Sequence, residues 1–246
     1  KKKPENSEHD DSVIKPKPAK ARKWFDHARA MADSFNFETA ILYYAQGIRL
    51  DPGSLQAHEA ILDAAIKHHS KGGKPATSKE LRIIEGSDPA TKLAQAEFAW
   101  AREIDNPTLS VKVLDAAIKA EQLEFGNMIA AHVLTIMRRS KKPNRSTLVQ
   151  LKDLFSQVGA WNEAIAAGEL ALELNPADKD LSHELKDLAA QRAMDQGGYE
   201  AAAGKEGGFR DFVKDMDKQK ELAEEESLAG TSGSTDRVIA RAKAAW

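Results

Sequence analysis

"ETAILYYAQGIRLDP", residues 38–52, sets small side chains at Ala40 and Gly47 on either side of the bulky Tyr44 and ends at Asp51-Pro52. A single copy would be an amphipathic helix stopped by proline, whereas copies at a regular period would be units of a stacked helical array. The pattern is a small residue, a bulky one four later, a small or slender one three after that, and then proline. It recurs at Ala94-Phe98-Ala101 with Pro107, at Ala130-Leu134-Met137 with Pro143, and at Ala164-Gly168-Ala171 with Pro176. The four copies start 54, 36 and 34 residues apart. Such spacing predicts helical hairpins, each unable to bury its own apolar face alone.

Composition agrees with helices. Alanine, the best helix former, is abundant, while the β-branched residues that strands favour are sparse. A hydrophobic content of 41% over 246 residues suffices for one sizeable core or an extended array. The absence of cysteine excludes disulfides, thiolate metal sites and cysteine catalysis within this chain. A net charge of −2 gives no strong global pull toward nucleic acid. No apolar run approaches the roughly 20 residues that cross a bilayer, and none resembles the apolar part of a signal peptide. The expectation is a soluble, cytoplasmic protein with no membrane segment, although the chain starts at Lys1 and leaves room for a missing upstream signal or anchor.

The ends differ from the middle. Residues 1–20 mix Lys, Glu, Asp and three prolines with only Val13 and Ile14 as branched aliphatics, a composition that predicts a disordered arm. Eight basic against four acidic residues over 1–23 make that arm basic, at +4. "GGYEAAAGKEGG", 197–208, reads as a glycine-rich hinge. Residues 209–246 read as charged helical tail segments around the linker "AGTSGST". On the segment from 209, Phe209, Phe212, Val213 and Met216 share one helical stripe, which reads as a cap on the last hairpin or as a tethered binding motif.

Extended back from the first copy, "KWFDHARAMADSFNFETAILYYAQGIRLDP" (23–52) resembles a tetratricopeptide repeat, with Trp24, Ala28, Ala40, Tyr44 and Pro52 in the family's register. His27 and Met31 stand where that family usually has Leu and Tyr. The fourth copy, "NRSTLVQLKDLFSQVGAWNEAIAAGELALELNP" (144–176), is similar through Ala164, Ala171 and Pro176 but lacks the early Trp and has Gly168 in the aromatic position. The second and third copies are degenerate, with their prolines one residue late. The resemblance spans 21–196. It implies an all-α, right-handed α-solenoid of about four such hairpins with a C-terminal capping helix. Helices are predicted at 22–34, 37–50, 54–70, 88–104, 107–122, 126–140, 145–158, 161–174 and 178–196, with an insertion at 70–88 holding a short helix at 79–85.

Arrays of this family bind extended peptides or partner proteins in a concave groove lined by the first helix of each hairpin. The resemblance therefore implies a noncatalytic scaffold or adaptor with a protein or peptide ligand and no cofactor. Its groove candidates are Arg22, Phe25, Arg29 and Asp33, then Gln56, Glu59, Asp63 and Lys67, then Asp115, Lys119 and Gln122, then Val149, Asp153 and Gln157. Phe25 and Arg29 lead, because an exposed aromatic beside arginine commonly anchors an interface. The chaperone-binding members clamp a terminal carboxylate with lysine and asparagine where this chain has Phe25 and Arg29. For each candidate the plain alternative is a solvated polar face.

Sharper chemical signals fail on spacing. "HHSKGGKPATS" has His68 and Pro75 where a phosphate-binding loop needs Gly and Ser or Thr. His58 and His69 lie about 16 Å apart along a helix, too far for one metal, and with His68 are expected to be surface or capping residues. No motif pairs a nucleophile, a base and an orienting group, so catalysis is not expected. The one dense basic cluster, "RRSKKPNR" at 138–145, carries Arg138, Arg139, Lys141, Lys142 and Arg145. It reads as cations complementing a helix C-terminus, or else, with the basic arm, as a contact for nucleic acid or the ribosome.

Overall fold

A computed structural model describes residues 16–140 and 144–202. Among the described residues the protein is all-helical, with ten helices and no strand. They are α1 (Pro18–Asp33), α2 (Phe37–Ile48), α3 (Leu55–Ser70), α4 (Ser78–Leu81), α5 (Pro89–Arg102), α6 (Pro107–Lys119), α7 (Leu123–Arg139), α8 (Arg145–Gln157), α9 (Trp161–Glu173) and α10 (Lys179–Ala202). The described residues up to Leu188 form one compact unit, and those from Ala189, the last part of α10, belong to another. Consecutive long helices pack on one another: α1 on α2, α2 on α3 and α5, α5 on α6, α6 on α7, α7 on α8 and α8 on α9. None of the described helices is long and apolar enough to cross a membrane.

The sequence period is a burial period. All twelve pattern positions are buried, and the four leading alanines, Ala40, Ala94, Ala130 and Ala164, have no exposed surface. Small residues at these points let helix axes approach, and the vacated space is filled from a neighbour. A side chain at Gly47 would run into the Phe25 ring, one at Gly126 into Val158, and one at Gly168 into Leu185. Gly126 is therefore interior to α7, which begins at Leu123 rather than at the expected 126.

The turns repeat as well. α1, α3, α6 and α8 each end in a left-handed residue, at Phe35, Gly72, Glu121 and Gly159. Around each, two backbone bonds close the last turn: Asn36 N–H donates to the Met31 carbonyl and Phe35 N–H to Ala32, with Gly73 to His68, Gln122 to Ala117 and Ala160 to Phe155 as the later counterparts of the first bond. The starts are capped by short polar side chains. Asn36 accepts from Thr39 N–H, Asp88 from Thr91, Asn106 from Leu109 and Asn144 from Ser146.

The insertion at 70–88 is bolted down rather than loose. Arg102, its side chain 1% exposed, donates from Nε to the Lys74 carbonyl (3.0 Å), from Nη1 to Glu80 (2.8 Å) and from Nη2 to Glu38 (2.6 Å). Gln46 donates to the Ile83 carbonyl, Gln95 to Ile84 and Arg49 to Glu85. Ile84 is fully buried among them. The expected short helix shrinks to one turn, α4, closed by a capping box in which Thr77 and Glu80 exchange bonds. The Thr77 hydroxyl bond, opposed by burial and aided by the Thr77 amide and Arg102, holds the Glu80 carboxyl down to about 2.

Two expected boundaries move. α1 begins at Pro18, inside the arm assigned to 1–20, because proline suits a first helical turn and Lys17 N–H donates to the Leu50 carbonyl at 2.8 Å. α10 continues to Ala202, through Gly197-Gly198 and past the helix end expected at 196. Glycine costs a helix about 1 kcal/mol but does not forbid it. The rest of that hinge, the tail segments at 209–246 with their Phe209 stripe, and arm residues 1–15 lie outside the described residues.

Candidate functional site

α1 and α3 enclose a groove of about 650 Å³ lined by Arg22, Phe25, Asp26 and Arg29 from α1, Tyr44 from α2, and Ser54, Gln56, Ala57 and Ala60 at the start of α3. The small floor of Ala57 and Ala60 keeps the space open. Arg22 and Arg29, seven residues and so about 10 Å apart on one face of α1, make no hydrogen bond or ion pair among the described residues. Phe25 is half-buried, not exposed as expected. Its ring sits over Gly47 and 6.5 Å from the Tyr44 ring, so it is wall and packing element at once. Burial raises the Tyr44 phenol's pKa, with Arg29 lowering it, Asp33 and Asp63 raising it and Lys67 lowering it. The charges of four expected groove residues thus converge on one hydroxyl.

The remaining candidates do not line this groove, although Asp33, Asp63 and Lys67 lie close enough to act on Tyr44. Asp63 and Lys67 pair with each other at 2.5 Å, as do Asp115 and Lys119 on α6, and Asp153 pairs with Lys152 at 2.8 Å on α8. Glu59 is exposed beside the lining, and Gln122 lines a separate 280 Å³ recess with Pro52, His58 and Phe125. Val149 is packed against the core, and Gln157 is exposed at the end of α8. Of the expected lining residues, Arg22, Phe25, Arg29 and Gln56 share this one groove. Asp26, Tyr44, Ser54, Ala57 and Ala60 were the missed members. Asp26 was findable, since it follows Arg22 by four residues on the same face.

The basic cluster is divided. Arg138 and Arg139 are exposed in the last turn of α7, where cations complement the helix dipole. Arg145 is ion-paired to Asp178, whose carboxylate also accepts from Leu181 N–H at the start of α10. Lys141 and Lys142 lie outside the described residues. On α8, Lys152 is buried and ion-paired to Glu184 of α10.

His58 is not the surface residue expected. It is 1% exposed, and its Nδ1 lies 3.0 and 2.9 Å from the two oxygens of the wholly buried Glu97. Its Nε2 donates to the Pro52 carbonyl at 2.8 Å, and its ring stacks on Phe125 at 4.0 Å. Burial alone would lower the imidazole's pKa; the Glu97 charge and hydrogen bond overcome it and raise the value. Burial likewise pushes the Glu97 carboxyl up. Nδ1 lies within hydrogen-bond distance of both carboxylate oxygens while Nε2 is held by a backbone carbonyl, so both ring nitrogens are engaged. His68 is buried with Nε2 on the Lys74 carbonyl, and His69 is exposed beside Asp105 at 3.1 Å. The pair ties α3 to α5.

No protein-family model matches the chain, and no curated protein matches it.

Proposed function

We propose that the protein is a noncatalytic scaffold or adaptor, a tetratricopeptide-like right-handed solenoid that holds a peptide or partner protein in the groove between α1 and α3. One observation supports this reading above the others. Arg22 and Arg29 remain unpaired on a groove with an apolar floor, while the other groove candidates on α3, α6 and α8 that carry charge largely pair among themselves. Unpaired guanidinium groups over aromatic and alanine surface favour a ligand that brings carboxylates and apolar side chains together.

The test is capture from a nuclease-treated lysate at low and high salt, comparing the full chain with Arg22→Glu plus Arg29→Glu and with Arg138→Glu plus Arg139→Glu. Phe25 is left intact, since its truncation would unseat Gly47 packing and confuse folding with binding. A protein retained by the wild type and the α7 variant and lost by the α1 variant supports the groove. Loss confined to the α7 variant, with steep salt dependence, would transfer the function to the basic cluster and to nucleic acid.

A further inference from the structure

α1 has a second lined face, on the flank opposite the groove. Ala19, Lys20, Lys23, Trp24 and His27, with Tyr43 of α2, border an open cleft of about 860 Å³. Trp24 and Tyr43 meet at 5.5 Å and His27 meets Tyr43 edge-on at 6.4 Å. Lys20, Lys23 and His27 are exposed and make no ion pair among the described residues. Terminal units of helical arrays need a polar outer face. At the other end α10 supplies cover, with Leu181 buried and Leu185 seated over Gly168. The α1–α2 end instead presents an aromatic pair ringed by cations.

We propose that residues 8–14 of this chain, Glu8-His9-Asp10-Asp11-Ser12-Val13-Ile14, cover that cleft. The charges of the arm are segregated: its four acids all fall within residues 5–11, between Lys1-Lys2-Lys3 and the basic run from Lys15. Val13 and Ile14 are its only branched aliphatics, set directly after Asp10 and Asp11. Val13 and Ile14 match the Trp24–Tyr43 surface, and Glu8, Asp10 and Asp11 match Lys20, Lys23 and His27. The reach is adequate. Lys17 is fixed to Leu50, next to the cleft, and seven extended residues span roughly 23 Å against the roughly 12 Å of helix between Ala19 and His27.

The absence of cysteine permits a clean single-site probe. A nitroxide on Ser12→Cys in the full chain should broaden the Trp24 indole N–H resonance, assigned with Trp24→Phe, beyond detection. Adding Lys20→Glu plus Lys23→Glu, or Val13→Ser plus Ile14→Ser, should restore it. Broadening that neither pair relieves is that of an arm passing by chance, and it overturns the proposal. Broadening that persists when labelled and isotope-marked chains are separate molecules in one sample also overturns it, in favour of a second copy on this end.

Discussion

The first helix pair, α1–α2, and the fourth, α8–α9, carry the same small-large-small signature and treat it differently. In the first, the space over Gly47 is filled from within the pair by Phe25, and Arg22 and Arg29 have no ion pair among the described residues and border a groove. In the fourth, the space over Gly168 is filled by Leu185 of α10, and the cations Arg145 and Lys152 are taken up by Asp178, just before that helix, and Glu184 within it. One end is closed by a cap that consumes its charges. The other leaves Arg22 and Arg29 without an ion pair among the described residues, which is the basis of the proposed binding there. Identical packing rules thus leave one pair with its cations ion-paired and the other with Arg22 and Arg29 making no ion pair among the described residues, the difference lying in whether a following segment supplies carboxylates.

The largest expected effect falls between the two ends. Glu97→Ala strands a buried imidazole between α3, α5 and α7, and should cost about 3–5 kcal/mol in urea melts, weakening both ends together. A loss confined to one end would show that the two are not joined through this pair. The same pair sets a pH dependence. His58 holds its proton more tightly than the unfolded chain does, so its contribution is complete below pH about 6.5 and is lost as pH rises through the raised value. The melting temperature should fall from pH 6 to 9, and Glu97→Gln should abolish that fall.

Next in size is a direct comparison of the two glycines. Gly47→Ala drives a methyl into an aromatic ring backed by Tyr44 and should cost about 1–3 kcal/mol. Gly168→Ala meets the end of the flexible Leu185 side chain and gains helix propensity of about 1 kcal/mol, so it should be close to neutral. Equal costs in thermal melts would erase the distinction between a sealed pair and a capped one.

The smallest effects are gains. Phe35 and Glu121 occupy the left-handed turn position that Gly72 and Gly159 fill elsewhere. Glu121→Gly should stabilise by about 0.5 kcal/mol, the strain relieved being partly offset by glycine's greater unfolded freedom. Phe35→Gly should gain less, because the Phe35 ring holds the Lys71 ammonium at 4.6 Å.

The helices and their period were legible because the signal is local: alanine and glycine at fixed offsets, then proline. Two of the four repeated turns were hidden, since Phe35 and Glu121 stand where glycine would have announced them. Gly126 misled in the other direction, reading as a helix start when it is a contact point for Val158. The charged side chains were the least legible. His58 meets Glu97 39 residues away and Arg102 meets Glu38 64 residues away, separations at which no sequence pattern links the partners. The pairs Asp63–Lys67 and Asp115–Lys119, by contrast, were legible from their i,i+4 spacing.

The decisive measurement is selection of peptides from a random display library on the full chain, counted against Arg22→Glu plus Arg29→Glu and against Asp115→Ala plus Asp153→Ala. If the α1–α3 groove is the receptive end, enriched peptides will pair acidic with apolar residues, vanish on the α1 variant and persist on the α6/α8 variant. Enrichment that survives the α1 variant and is lost on the α6/α8 variant would place binding along the later helices and contradict the division between an open and a closed end.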